Sequence, residues 1–199
     1  RVMEQSFEGM LVKIDGREAW SRLIGMHNAY NLLAIYTTAV TLGTDPEEVL
    51  TAMSTLLPAP GRLENIRGPK DISVIIDYAH TPDGLKNILR TFRECERNRL
   101  TVVFGCGGDR DKTKRPIMGK ISGEIADYTI ITSDNPRTEE PEAIVKQIEE
   151  GIKKTKGKYE VVVDRTEAIR KAITMANKND IIVLAGKGHE TYQEINKVK

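Results

Sequence analysis

The chain has 199 residues, 39% of them hydrophobic and 30% charged, enough for one domain and part of a second around a core that needs no disulfide. Thirty Lys and Arg against 29 Asp and Glu leave a formal net charge of +1, which excludes a chain-wide field drawing the protein onto nucleic acid or an anionic membrane. No apolar run approaches the ~20 residues that span a bilayer, and the opening Arg1-Val2-Met3-Glu4-Gln5-Ser6 holds no signal-peptide core, so a soluble cytoplasmic protein is expected.

Residues 7–24 mix short apolar stretches around an Asp15-Gly16 turn and predict a β-hairpin whose context lies upstream. From 27 to 42, Leu32, Leu33, Ile35, Tyr36, Ala39 and Val40 recur at helical spacing, with Gly43 as a stop. Asp45-Pro46-Glu47-Glu48 starts a second helix with an N-cap, a proline in the first turn and acids at the positive end of the dipole. Leu57-Pro58-Ala59-Pro60-Gly61 breaks that helix and places a domain boundary near residue 58, dividing 1–57 from 58–199. Beyond it the pattern predicts strands over 73–77, 101–105, 128–132, 159–163 and 180–185, with helices over 82–98, 115–126, 139–155 and 165–177. Continuous apolar strands alternating with helices predict an α/β fold with a parallel sheet covered on both faces.

The two cysteines, Cys95 in a predicted helix and Cys106 after a predicted strand, have no CxxC or Cys/His spacing for zinc and read as reduced thiols. The chain opens without Met and stops soon after a glycine-rich loop, so it is expected to be a fragment with artificial ends.

In an open α/β sheet ligands collect at the carboxyl ends of the strands. The segments expected there hold nearly all the unusual residues: Asp77-Tyr78-Ala79-His80, Gly105-Cys106-Gly107-Gly108-Asp109-Arg110-Asp111-Lys112, Ser133-Asp134-Asn135-Pro136-Arg137, Asp164-Arg165 and Gly186-Lys187-Gly188-His189-Glu190. Each also has a plain structural reading. Gly107-Gly108-Asp109 suits a simple turn, Asp134-Asn135-Pro136 a strand end leading into a helix with Arg137 on the solvent face, and His189 a surface position. What favours function is their coincidence on successive strands. Arg110 and Arg137 suit a carboxylate or phosphate through paired guanidinium hydrogen bonds, while Asp134 and Glu190 complement an ammonium, the two signs a zwitterionic amino acid requires. Neither glycine-rich loop completes GxxxxGK[ST] or GxGxxG, so the chain carries no triphosphate cradle or dinucleotide fingerprint of its own.

Taken in order, Gly25-Met26-His27-Asn28-Ala29-Tyr30-Asn31, Pro60-Gly61-Arg62-Leu63-Glu64, Asp77-Tyr78-Ala79-His80-Thr81-Pro82, Gly105 to Lys112, Asp134-Asn135-Pro136-Arg137 and Gly186-Lys187-Gly188-His189-Glu190 resemble the Mur ligases. The likeness is to the branch that adds meso-diaminopimelate to a UDP-linked muramoyl dipeptide in peptidoglycan synthesis, and it runs from about residue 10 to residue 195. The resemblance implies a three-domain, ATP-dependent ligase of which this chain holds the helical end of the central ATPase domain, 1–57, and the Rossmann-like amino-acid-binding domain, 58–199. In such enzymes ATP phosphorylates the dipeptide carboxylate, the amino acid's amine attacks the acyl phosphate, and Mg2+ stabilises the transferring group.

Residue by residue, the resemblance implies ATP contacts for Asn31, Arg62 and Asp77, with His80 beside them, and a diaminopimelate pocket of Arg110, Asp134, Asn135, Pro136, Arg137, Gly186 and Glu190. Arg137 would pair with the distal carboxylate that lysine lacks, and lysine would be rejected because the arginine would be left unpaired. No catalytic residue or metal ligand is assigned within the chain; the phosphate loop and the groups holding Mg2+ are expected upstream, so the chain alone should not ligate. Its partners are then small molecules, ATP, amino acid and UDP-linked dipeptide, and a monomer is expected. The first fifty-odd residues are expected to be poorly ordered or packed on the remainder, with a hinge near residue 58.

Other readings stay open: an L-lysine-adding, folylpolyglutamate or cyanophycin-type ligase, a non-enzymatic amino-acid-binding domain, or a phosphoesterase holding metals on Asp77, His80, Asp109, Asp111 and Asp134.

Overall fold

The computed structural model describes residues 1–94 and 98–198; the predicted position of Cys95 in a helix lies outside the described residues. The chain divides into two compact units, Arg1–Ala59 and Pro60–Lys199.

In the first unit three strands, β1 (Val2–Ser6), β2 (Gly9–Ile14) and β3 (Arg17–Ser21), form an antiparallel sheet in that order. Ile14 faces Arg17 across the hairpin, and Asp15 and Gly16 both take positive φ, 50° and 79°, the turn that matches the twist of two-residue hairpins. Helices α1 (Met26–Thr41) and α2 (Pro46–Ser54) follow. Asp45 caps α2 by accepting from the Glu47 and Glu48 backbone N–H groups, as its sequence signal predicts. Met10, Val12 and Ile14, alternate residues of β2, pack with Leu32, Tyr36, Val49, Leu50 and Met53 into a core. The segment, expected to be either poorly ordered or packed on the remainder, has a core of its own. The apolar stripe of α1 is also narrower than its periodicity suggests, since Leu33 and Ile35 remain 46% and 44% exposed.

The second unit is built on a six-stranded sheet of β4 (Glu64–Arg67), β5 (Ser73–Asp77), β6 (Leu100–Phe104), β7 (Tyr128–Ile131), β8 (Lys158–Val161) and β9 (Ile181–Ala185). Its order is β4-β5-β9-β6-β7-β8, with β4 antiparallel at one edge and the other five parallel. The sequence pattern does not reveal β4, because Glu64-Asn65-Ile66-Arg67 carries a single apolar residue and pairs on one side only.

The run from β5 through β6 and β7 to β8 advances across the sheet, so right-handed crossovers place α3 (Pro82–Arg93), α4 (Lys114–Ile125) and α5 (Pro141–Ile152) on one face. The return to β9 puts α6 (Arg165–Met175) on the other, where Ala168, Ala172 and Ala176 pack on Val74, Val103, Ile130 and Ile182. Helices α4 and α5 meet through Gly119 and Gly151; a Cβ at either would collide with the backbone of the facing helix. Thr81 and Asp164 cap α3 and α6 with their side chains, starting both helices directly above the carboxyl edge of the sheet.

Candidate functional site at the carboxyl edge of the sheet

Because β9 inserts between β5 and β6, the loops after these strands and β7 converge on one edge, the crevice where open α/β sheets bind ligands. Gly186, at φ 110°, ends β9 by donating to the Asp77 carbonyl at 3.0 Å. A Cβ there would stand 2.7 Å from Asp134 Oδ2, so glycine is what lets the β7 and β9 loops close on each other.

The centre of this edge is a hydrogen-bonded cluster. Asn135, 5% exposed, donates to Glu190 Oε2 at 2.8 Å and accepts at Oδ1 from Lys187 Nζ at 2.9 Å. Lys187 Nζ reaches Glu190 Oε2 at 2.9 Å as well, and the Tyr78 hydroxyl donates to Glu190 Oε1 at 3.4 Å. Burial opposes ionisation of Glu190, but Lys187, Asn135 and Tyr78 outweigh it and hold the carboxyl below its ordinary range. Asp134 is buried beside this group, accepting the Asn135 N–H at 2.7 Å. Arg165 is buried under it, donating to the Ala185 and Ser133 carbonyls, and its pKa is lowered by burial against the raising influence of Asp134 and Glu190. A cleft of about 370 Å³ opens beside Arg165, Lys187, Glu190 and Gln193.

The two arginines singled out in sequence meet at Gly107: a Cβ added there would lie 2.9 Å from Arg137 Nη1 and 3.8 Å from Arg110 Cγ. Arg110 is exposed and donates to the Asp109 carbonyl at 3.2 Å. Arg137, at φ 53°, donates from Nη1 to the Gly108 carbonyl at 2.7 Å and sets Nε 3.2 Å from Glu194 Oε2. Glu194, absent from the sequence reading, is the ion-pair partner of the Arg137 guanidinium. The Pro136 carbonyl packs where Gly108 leaves no room for a side chain and accepts the Glu139 N–H at 3.0 Å.

Behind these loops lies a brace that sequence reasoning missed. Arg115, fully buried, makes a two-point pair with Glu139 at 2.9 Å and also donates to Gln147 Oε1 and the Gly107 carbonyl. Hydrogen bonds from Arg115, working against burial, bring the Glu139 carboxyl down to about 2, and the Asp109 N–H adds to the effect. A signal existed: Arg115, Met118, Gly119 and Ser122 share the buried face of α4, and an arginine on such a stripe requires a carboxylate partner.

Of the expected ATP contacts, Arg62, Asp77 and His80 surround Tyr78. The Arg62 guanidinium lies 4.8 Å over its ring and the His80 ring packs edge-on at 4.8 Å. The Asp77 carboxylate is occupied by the Leu63 and Ala79 N–H groups, at 2.9 and 2.8 Å, and so shapes the loop carrying Arg62. Asn31 lies on α1 in the first unit, donating to Asn28 at 3.1 Å. The five residues of the phosphoesterase reading do not come together: Asp109 accepts from Thr138, Asp111 from Thr113, and no group of three or more His, Cys, Asp or Glu side chains among the described residues is placed to hold a metal. Cys106 is buried with its thiol pushed up to about 12 by burial, an inert position. Among the described residues no helix is long and apolar enough to cross a membrane.

Comparison with known proteins agrees with this architecture. Residues 61–188 match the family described as Mur ligase, glutamate ligase domain. A UDP-N-acetylmuramoyl-L-alanyl-D-glutamate–2,6-diaminopimelate ligase of Cytophaga hutchinsonii is 51% identical over 100% of this chain and 41% of its own length. A solved structure of a ligase of that name superposes with a TM-score of 0.70 at 41% identity, over 98% of this chain and 41% of that one. The UDP-N-acetylmuramate–alanine ligase of Thermotoga maritima gives a TM-score of 0.73 at 25% identity, over 92% and 40%. The chain thus spans about two fifths of the length of the curated relatives it matches. The family match, which covers the six-stranded sheet and the loops after β5, β6 and β7, shows that this chain belongs to the Mur ligases.

Proposed function

We propose that the chain is the amino-acid-binding end of an ATP-dependent ligase that adds meso-diaminopimelate to a UDP-linked muramoyl dipeptide in the cytoplasm, forming an amide through an acyl phosphate. The observation that carries this reading is the placement of both charge signs on one sheet edge: Arg110 and Arg137 flank Gly107, and the Asp134 and Glu190 carboxylates stand on the adjoining loops. Relatives about 50% identical bear the name of that activity.

The residues of this chain bind and orient. A Glu190 carboxylate held ionised attracts an ammonium and positions the amine that becomes the nucleophile. Arginine offers a planar pair of donors to a carboxylate, which suits Arg137 to the distal group of diaminopimelate. Arg62, raised on the loop that Asp77 shapes and stacked on Tyr78, is suited to nucleotide phosphates. ATP would supply the phosphoryl group and Mg2+ would offset its charge; we assign the metal to residues outside this chain, and among the described residues no group of three or more His, Cys, Asp or Glu side chains is placed to hold one.

The test is ATP-dependent phosphate release by the full-length enzyme with the UDP-linked dipeptide, comparing meso-diaminopimelate with L-lysine. Turnover preferring diaminopimelate, with the preference lost in Arg137→Ala, supports the reading. Equal turnover with lysine sinks the role of Arg137, and turnover with neither points to another branch of the family. The 199-residue chain alone is expected to release no phosphate.

A further inference from the structure

We propose that Glu194 is a built-in counter-carboxylate for Arg137, which a dicarboxylic amino acid must displace in order to bind; this rests on the reading of Arg137 as the distal-carboxylate contact. Backbone pairing holds Glu194 in place independently of its charge. The Arg137 N–H donates to the Glu194 carbonyl at 3.0 Å, and the Asn196 N–H donates to the Arg137 carbonyl at 2.7 Å. The Glu194 N–H is tied to Asn135 Oδ1 at 2.9 Å, and Gln193 Nε2 to the Asp134 carbonyl at 2.6 Å. The segment after Glu190 is thus a strap laid along the 134–137 turn, and it delivers the Glu194 carboxylate to the Nε edge of Arg137.

A guanidinium binds a carboxylate at two points through an edge, either Nε with Nη2 or the two Nη groups. Glu194 stands 3.2 Å from Nε, one of the two donors of the first edge, and the Gly108 carbonyl takes an Nη1 donor of the second. A distal carboxylate reaching Arg137 therefore meets a like charge at 20–26% exposed side chains and gains the arginine only by exchange. Lysine, which lacks that carboxylate, leaves the Arg137–Glu194 pair intact, so the penalty of an orphaned arginine that would otherwise exclude it is absent. Glu194 accordingly lowers both the affinity for the dicarboxylic substrate and the discrimination against lysine. It is a positioning and specificity residue, not a catalytic one.

The experiment is steady-state kinetics of the full-length enzyme carrying Glu194→Gln, Glu194→Asp, Arg137→Ala or the Arg137→Ala/Glu194→Gln pair, with meso-diaminopimelate and with L-lysine. Glu194→Gln should lower KM for diaminopimelate about threefold, the scale of one partly exposed ion pair, while KM for lysine stays level or rises. Glu194→Asp, which keeps the charge, should remain near the unsubstituted enzyme, and Glu194→Gln should add nothing in the Arg137→Ala background. An unchanged or raised KM for diaminopimelate in Glu194→Gln, with Arg137→Ala still erasing the preference, overturns the proposal and leaves the role of Arg137 standing. If Arg137→Ala leaves the preference untouched, the underlying reading fails and this one with it.

Discussion

Two arginine–glutamate pairs hold the 134–139 segment, and they differ in nearly everything but composition. Arg115 and Glu139 pair at two points, with the arginine fully buried, its Nη groups also donating to Gln147 and the Gly107 carbonyl and its Nε left without a hydrogen-bond partner. Arg137 and Glu194 touch at one point, 3.2 Å apart, with both side chains partly exposed. A buried two-point pair cannot lose one member without stranding a charge, whereas a partly hydrated pair can exchange its partner at small cost. The first keeps the 105–112 loop on the 134–139 segment; the second is left free to answer a ligand.

The largest effect that sharpens this contrast is expected from Arg115→Ala. It should cost about 3–5 kcal/mol, because Glu139 loses its two-point partner while held between the loops, and denaturant unfolding monitored on the second unit reads it directly. A loss no greater than that of Arg137→Ala breaks the comparison.

Acid titration gives the next effect. Glu139 sits at about 2 against an ordinary 4.5, so its folded-state pKa is depressed. The stability it contributes is present above the unfolded value and drains away as pH falls from about 4.5 towards about 2. Unfolding curves for Glu139→Gln should lack that part of the acid dependence, with the Glu190 contribution remaining. An unaltered slope would remove Glu139 from the account.

The smallest effect is expected at the outer pair. Arg137→Ala and Glu194→Gln should each change stability by about 1 kcal/mol or less, as exposed ion pairs do, while shifting the amino-acid preference. A thermal midpoint lowered as far as by Arg115→Ala would make the outer pair structural too.

Much of this was readable in advance from local signals. The central parallel strands are mostly apolar, as at Leu100-Thr101-Val102-Val103-Phe104, and several helix starts carry their own cap or proline, as at Thr81-Pro82 and Asp45-Pro46. Strand β4 stayed hidden for lack of an apolar pattern, and the width of the α1 stripe was overstated because periodicity cannot say how much of a face meets a partner. The loops bearing Asp77, Asp134, Arg137, Gly186 and Glu190 were legible as candidates because glycines, arginines and acids cluster just after predicted strands, where a plain connection needs none.

By itself, then, the amino-acid order determined the alternation of strands and helices and the kinds of side chain that reach the edge, since propensity, capping and pattern act over a few residues. Only the tertiary structure decided that β9 lies between β5 and β6, that Asp77 is spent on the Leu63 and Ala79 backbone, and that Arg115 finds Glu139 and Arg137 finds Glu194. Those pairings join residues far apart in the chain, and they are chosen by the packing of whole elements and by the cost of leaving a charge or an N–H group without a partner.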